Sequence, residues 1–326
     1  MTNDEWRMTN SESSRYAIVT GGASGLGREF CLRLAGDGWH VAIVDVDQAG
    51  SEETRRLVEQ AGGTGRVEVG DVTDPAAWSA LRDRLQADWP RLDLLVNNAG
   101  MFASGRVGQL DLADAERVIR LNLLGVLYGC NAMVPWLCAT ARSAPPSSTR
   151  LRIAAKRLAA MRSASGAERD ATANPNLPRP HVINVASSFA FITPPGMAVY
   201  SLTKAAVVAL SETLYAELRP QGVGVTVVCP GAMPTRFIEH ASFDSPAFRK
   251  LTEREAHQST LDPAEVAAAA LRAARRRKLY VVTCADQRWY WRLKRMFPTT
   301  FIHEVSRRVH RDLRSLESRD KSQEPE

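Results

Sequence analysis

The sequence predicts an α/β domain built on a doubly wound parallel sheet. Two observations predict it, and a third locates its first turn. Seven short apolar runs alternate with longer stretches of helical periodicity, the pattern of a parallel sheet covered by helices. The runs are rich in Val and Ile, and several are nearly continuous, as strands buried on both faces should be. The first run leads through a glycine-rich turn straight into a helical segment.

The expected strands are Tyr16–Thr20, Trp39–Asp45, Arg66–Gly70, Leu92–Asn97, His181–Ala186, Val223–Cys229 and Leu279–Thr283. Helical segments fall near 25–36, 49–61, 75–87, 112–139, 198–218 and 262–276. Asp74-Pro75 and Asp262-Pro263 each read as an N-cap followed by proline at the first helical position, where a missing N–H costs nothing. With 326 residues, 44% of them hydrophobic, the chain has ample core, and one large α/β domain is as plausible as two small ones. Residues 1–14 are polar and aperiodic, and disorder is expected there.

No apolar run follows a basic stretch at the N-terminus, and no uninterrupted apolar segment reaches transmembrane length. Five scattered cysteines show neither a CxxC pair nor metal-ligand spacing with histidine, so no metal site is expected. They read as reduced thiols, and a cytoplasmic location is expected.

The turn after the first strand is Thr20-Gly21-Gly22-Ala23-Ser24-Gly25-Leu26-Gly27. Glycines let a backbone approach a pyrophosphate, and the following helix N-terminus offers N–H groups and a favourable dipole. The spacing is GxxxGxG rather than GxGxxG, and a turn that merely packs helix on strand is the competing reading. Asp45, eighteen residues after Gly27 at the end of the second strand, is placed to hold adenosine ribose hydroxyls. Its charge would repel a 2′-phosphate, and no basic residue stands at position 24 or directly after Asp45. NAD is therefore favoured over NADP in a Rossmann-like site.

Tyr200 and Lys204 are four residues apart, a spacing that puts both on one helix face. A phenol titrates near pH 10, and a cation beside it favours the phenolate. With Ser187 thirteen residues earlier, the set reads as a tyrosine acid/base tuned by a lysine and assisted by a hydroxyl.

With these residues in register, the chain resembles the short-chain dehydrogenase/reductase family, in its single-domain branch. The matching segments are TGGASGLG at 20–27, Asp71-Val72, Asn97-Asn98-Ala99-Gly100, Asn122, Asn184-Val185-Ala186-Ser187, Tyr200-x-x-x-Lys204 and Pro230-Gly231 with Thr235. They follow family order over about 15–285. The resemblance implies that Gly21, Ser24, Gly25, Leu26 and Gly27 wrap the pyrophosphate and that Asp45 holds the adenosine ribose. It implies that Asp71 and Val72 flank the adenine, and that Asn98, Ala99 and Gly100 line the cofactor floor. Tyr200 would move the substrate proton. Lys204 would lower the pKa of Tyr200 and bind the nicotinamide ribose, and Ser187 would hydrogen-bond the substrate oxygen. Asn122 would hold a water that relays protons outward through Lys204. Pro230, Gly231 and Thr235 would embrace the nicotinamide end. A homodimer or homotetramer is expected on the same ground.

The resemblance also places the substrate beside loops carrying Phe189, Phe191, Ile192, Pro194, Met197, Met233, Phe237 and Ile238. Phe189, Met197, Met233 and Phe237, with Ser187 and Tyr200, are the expected substrate contacts. These loops lack an evident charge clamp, with Arg236 and His240 the nearest candidates, so a hydrophobic secondary alcohol or ketone is expected. The expected activity is that of an NAD-dependent alcohol dehydrogenase or carbonyl reductase. A catalytically silent NAD-binding scaffold is the second reading, and its mark would be a missing Tyr, Lys or Ser.

The net charge of +6 conceals an asymmetry. Residues 141–180 carry a balance of +6 and residues 271–326 one of +8, leaving the body at −8. The first segment reads as a basic helix inserted before the strand at His181. The second, a basic extension over 286–326, combines Trp289, Tyr290, Trp291, Phe297 and Phe301 with many arginines. It fits oligomer or intramolecular packing, or a peripheral membrane surface; nucleic acid is the least favoured partner.

Overall fold

The computed structural model describes residues 14–143, 179–239 and 241–321. The expected N-terminal disorder, His240 and nearly all of the basic insertion lie outside them.

Seven parallel strands form one sheet: β1 (Tyr16–Thr20), β2 (His40–Asp45), β3 (Thr64–Val69), β4 (Leu94–Asn97), β5 (His181–Val185), β6 (Gly224–Cys229) and β7 (Tyr280–Val282). Their order is β3-β2-β1-β4-β5-β6-β7. The chain begins near the middle, winds to one edge, returns and winds to the other. The crevice beyond the C-terminal ends of β1 and β4, where the order reverses, is the ligand position this topology creates. All seven expected strands are present, with ends shifted by up to two residues.

Alternation along β1 sends Ile18 to one core and Ala17 and Val19 to the other. The first core packs the sheet against Trp78 and Leu85 of α3 (Pro75–Asp88), Met133 and Leu137 of α5 (Gly125–Ser143), and Val207 and Leu214 of α6 (Ala198–Leu218). The second packs it against Phe30 and Leu34 of α1 (Gly25–Ala35) and Val58 of α2 (Gln48–Gln60). Ala267 and Ala270 of α8 (Pro263–Arg275) complete that layer. Both Asp-Pro caps behave as expected: Asp74 accepts from Ala76 N–H and Asp262 from Ala264 N–H, at 2.9 Å each.

The stretch expected as one helix from 112 is α4 (Leu112–Ile119), a π-helical segment (Arg120–Leu124) and α5. Leu112–Ser143 is long and apolar enough by composition to cross a membrane, with a mean hydropathy of 1.4 in its most apolar window. Val118, Val126, Met133 and Leu137 of this stretch are buried in the core, and 56% of that window is buried in the fold.

One helix was absent from the sequence reading: α7 (Pro246–Gln258). Ser245 caps it by accepting from Phe248 N–H (3.2 Å), with Pro246 at the first position. Phe248, Leu251 and Ala256 are buried beneath it. The extension folds as α9 (Ala285–Met296) and α10 (Pro298–Lys321). Phe301 and Leu313 are buried, and Asp312 of α10 pairs with Arg254 of α7 at 3.8 Å.

Candidate active site

A cleft of about 900 Å³ opens at the switch point. Its first wall is the β1–α1 turn. Gly21 has φ +65°, and a Cβ there would stand 2.9 Å from the Ala99 Cα, so glycine is required on both counts. Gly25 also has positive φ (+53°) and opens α1. Ser24 is the extended N-cap of α1 (φ −156°, ψ 175°), but its hydroxyl does not cap the helix. The hydroxyl and the first N–H groups of α1 therefore suit an anion.

Gly21, Ser24, Gly25 and Leu26 line the cleft; Gly27 does not. A Cβ on Gly27 would run into the Gly21 carbonyl oxygen. Glycine at 27 thus lets α1 pack closely against the turn. Thr20 is a latch that the sequence reading passed over. Its Oγ1 accepts from the N–H of Asn98 and of Ala99 at 3.0 Å each. Asn98 Nδ2 answers with a 3.0 Å bond to the Thr20 carbonyl. These bonds lock the end of β1 to the Asn98-Ala99-Gly100 floor.

Asp45 lies at the far end of the cleft, half-buried. One carboxylate oxygen accepts from Ala23 N–H (3.1 Å) and the other from Asp47 N–H (3.0 Å). Asp71 accepts from Thr73 N–H (2.8 Å), and Val72 is buried beside it. Together these residues fit a nicotinamide dinucleotide: an anion-binding turn, a fixed carboxylate beyond it, and a glycine floor.

At the other end Tyr200 is only 6% exposed. Beside it is Ser187, two residues beyond the end of β5, whose hydroxyl accepts from Phe189 N–H (3.2 Å). Lys204, 3% exposed, donates to the Val185 carbonyl (3.1 Å) and stands 5.7 Å from the Tyr200 ring centre. Burial pushes the Tyr200 phenol up to about 12, with the Ser187 hydrogen bond opposing it. Burial pushes the Lys204 ammonium down to about 8, and the neighbouring Cys229 opposes that shift. The expected depression of Tyr200 by Lys204 is therefore not what the protein alone produces. Desolvation dominates both groups, and Ser187 is the hydroxyl's stabilising neighbour.

Asn122 sits in the π-helical turn, fully buried and behind the cleft. Its amide brackets Met101: Oδ1 accepts from Met101 N–H and Nδ2 donates to Met101 O, at 2.8 Å each. A Cβ on Gly100 would meet Asn122 Oδ1 at 3.1 Å and Lys204 Nζ at 3.5 Å, so floor, asparagine and lysine converge.

Pro230, Gly231 and Thr235 line the cleft, as do Phe189, Met197, Met233, Phe237 and Ile238. Phe191 does not. It stacks on Trp291 of α9 at 5.2 Å between ring centres, a structural contact that its position in the loop could not reveal. The lining also includes Phe102, Arg117, Arg120, Leu121, Thr252 and Glu255, none of which the sequence reading singled out. Thr252 and Glu255 belong to α7, whose Ser-Pro start is the same cap signal read correctly at two other helices.

Two family models match in succession, short chain dehydrogenase over residues 15–144 and enoyl-(acyl carrier protein) reductase over 159–283. The chain belongs to the short-chain dehydrogenase/reductase superfamily. It has that superfamily's NAD(P)-binding Rossmann fold.

Among its relatives, the probable oxidoreductase EphD of Mycobacterium tuberculosis is 31% identical over 228 residues, 70% of this chain and 32% of EphD. The chain thus spans about a third of that relative's length. The 3beta-hydroxysteroid dehydrogenase 1 of Eggerthella lenta is 29% identical over 276 residues, 84% of this chain and 92% of that protein. Two solved superfamily structures superpose on it. One, from Burkholderia phymatum in complex with NAD, has TM-score 0.72 at 24% identity, covering 88% of this chain and 94% of the other. The second, from Sphingobium yanoikuyae in complex with NADPH, has TM-score 0.64 at 26% identity, covering 84% and 91%.

Proposed function

We propose that the protein is an NAD-dependent dehydrogenase or reductase acting on an apolar secondary alcohol or its ketone, with Tyr200 as general acid/base. The observation that carries this reading is the buried Ser187–Tyr200–Lys204 cluster at the apolar end of the nucleotide cleft.

The turn Gly21–Gly27 would hold the pyrophosphate, Asp45 the adenosine ribose, and Asp71 with Val72 the adenine. Asn98, Ala99 and Gly100 would form the floor. Lys204 would hold the nicotinamide ribose, and Pro230, Gly231 and Thr235 the nicotinamide end. The nicotinamide, when bound, accepts a hydride from the alcohol carbon or returns it.

The remaining work is protonic. Ser187 and Tyr200 both line the cleft, where their hydroxyls would meet the substrate oxygen. In oxidation, Tyr200 as phenolate takes the hydroxyl proton; in reduction, the phenol returns it. Ser187 donates a hydrogen bond to the oxygen as negative charge develops there. A phenol near 12 is a strong base once ionised, and the cationic ring of oxidised cofactor favours that ionisation.

Phe102, Phe189, Met197, Met233 and Phe237 give the reacting end an apolar lining. That lining supports a substrate without charge near its carbinol, and the similarity to a hydroxysteroid dehydrogenase agrees with it. Asp45 supports NAD, since both its oxygens are held by backbone N–H groups as a fixed negative charge. A homo-oligomer is proposed from membership of the superfamily.

Tyr200→Phe tests the reading. Turnover of an apolar alcohol panel should fall more than about hundredfold, the usual scale of a lost general base. NAD affinity, measured by calorimetry, should change little. Retained turnover would overturn the assignment.

A further inference from the structure

The C-terminal extension divides its apolar residues into two groups. Trp291 stacks against Phe191 and tilts against Tyr280 at 5.1 Å, Phe301 contacts Tyr290, and Leu313 is buried. Those residues are spent on the fold. Trp289, Met296, Phe297 and Ile302 are not: they are 58%, 61%, 54% and 46% exposed. They fall within fourteen positions, at the elbow where α9 ends at Phe297 and α10 begins. Arg288, Arg292 and Arg295 are exposed on the same stretch. Between residues 288 and 308 the chain carries six Lys/Arg and a single carboxylate, Glu304.

We propose that this elbow docks on an anionic lipid bilayer, with Trp289, Met296, Phe297 and Ile302 entering the interface and the surrounding arginines meeting lipid phosphates. Aromatic and aliphatic side chains flanked by cations are the composition such a surface rewards. A second copy of the chain fits the patch poorly. In a twofold interface an elbow on the axis would meet its own copy, cation against cation, and an elbow off the axis would show as a change of native mass in the test below. Nucleic acid would use the arginines but leaves Met296 and Ile302 without a partner.

The placement also bears on the cleft. α10 runs from the elbow to Val309 and Leu313, which pack in the same cluster as Phe102, Met197 and Tyr200. An apolar substrate dissolved in lipid would thus be sought by the element that buttresses its site.

The test is cosedimentation of the full chain with vesicles of phosphatidylcholine alone and of phosphatidylcholine with one quarter phosphatidylglycerol. Binding should require the anionic lipid and weaken as salt rises. Met296→Ser with Phe297→Ser should reduce it by about tenfold or more, the scale of removing two apolar side chains from an interface. Arg288→Glu with Arg292→Glu should do the same. Both pairs are surface substitutions, so melting temperature and native mass should match the parent. Equal binding to neutral vesicles, no binding, or binding unaffected by both pairs would overturn the proposal. So would a fall in native mass in either variant, which would assign the elbow to subunit contact. Salt-sensitive binding to duplex DNA without lipid binding would assign it to nucleic acid. None of these readouts depends on dehydrogenase activity.

Discussion

Lys204 Nζ donates a 3.1 Å hydrogen bond to the carbonyl oxygen of Val185. That bond ties α6, which carries Tyr200, to the end of β5, two residues before Ser187. The lysine is a strut as well as a charge.

The strut has a thermodynamic cost. Burial lowers its folded pKa to about 8 from 10.5. Between those values the unfolded chain binds the proton and the folded chain does not, so stability rises with pH across that window. Below pH 8 the full penalty applies, about 3 kcal/mol at 1.36 kcal/mol per unit. Lys204→Met should therefore abolish turnover yet melt at or above the parent temperature at pH 7. The advantage should shrink as pH approaches 10. A variant that melts lower at pH 7 and converges from below would show that the hydrogen bond outweighs the desolvation.

Ser187 is expected to leave a signature in the pH profile, because its hydrogen bond opposes the burial that raises Tyr200 to about 12. Alcohol oxidation should accelerate as pH rises toward the tyrosine's titration. Ser187→Ala should slow the reaction by about a hundredfold, comparable to losing an oxyanion donor. It should also shift the alkaline limb to higher pH. A rate loss with an unshifted profile would mean that Ser187 positions substrate without touching the phenol.

These two residues show what was legible in the sequence and what was not. Strand and motif order were legible, because parallel strands buried on both faces advertise themselves as apolar runs. Every expected cofactor residue except Gly27 lines the cleft. The pKa of Tyr200 was not legible, since spacing places a cation nearby but says nothing of how deeply both groups are buried. The π-helical turn around Asn122 left no mark, because its residues also suit an α-helix. The missed α7 is different: Ser245-Pro246 announced it, but Arg249, Lys250, Glu253, Arg254 and Glu255 dilute its apolar stripe to Phe248, Leu251 and Ala256. The division of the extension into packed and exposed aromatics required the fold itself, since Trp289 and Trp291 are two residues apart and have opposite fates.

Asp45 should govern the choice of cofactor. Its oxygens are engaged by Ala23 and Asp47 N–H groups, so the charge cannot swing away from a 2′-phosphate. Asp45→Asn should lower kcat/KM with NAD by about tenfold, equivalent to 1.4 kcal/mol. It should raise kcat/KM with NADP relative to NAD by a larger factor, because the repulsion disappears while one acceptor oxygen remains. Steady-state kinetics with both cofactors measure this. A parent enzyme that already prefers NADP would refute the role given to Asp45.

Leu313 tests whether α10 belongs to the catalytic domain. It is 5% exposed and packs in a cluster with Phe102, Met197, Tyr200, Phe248 and Leu251. Those neighbours come from the β4–α4 loop, α6 and its approach, and α7, and three of them line the apolar half of the cleft. Leu313→Ala should cost about 2–5 kcal/mol, the range for truncating a buried leucine. The cavity should loosen the wall against which the substrate rests while leaving the β1–α1 turn untouched. KM for an apolar alcohol should therefore rise severalfold, with NAD affinity unchanged and denaturant unfolding shifted to lower midpoint. If stability falls and KM stays constant, α10 supports the fold without shaping the substrate site. If neither changes, the helix does not rest on the cluster in solution.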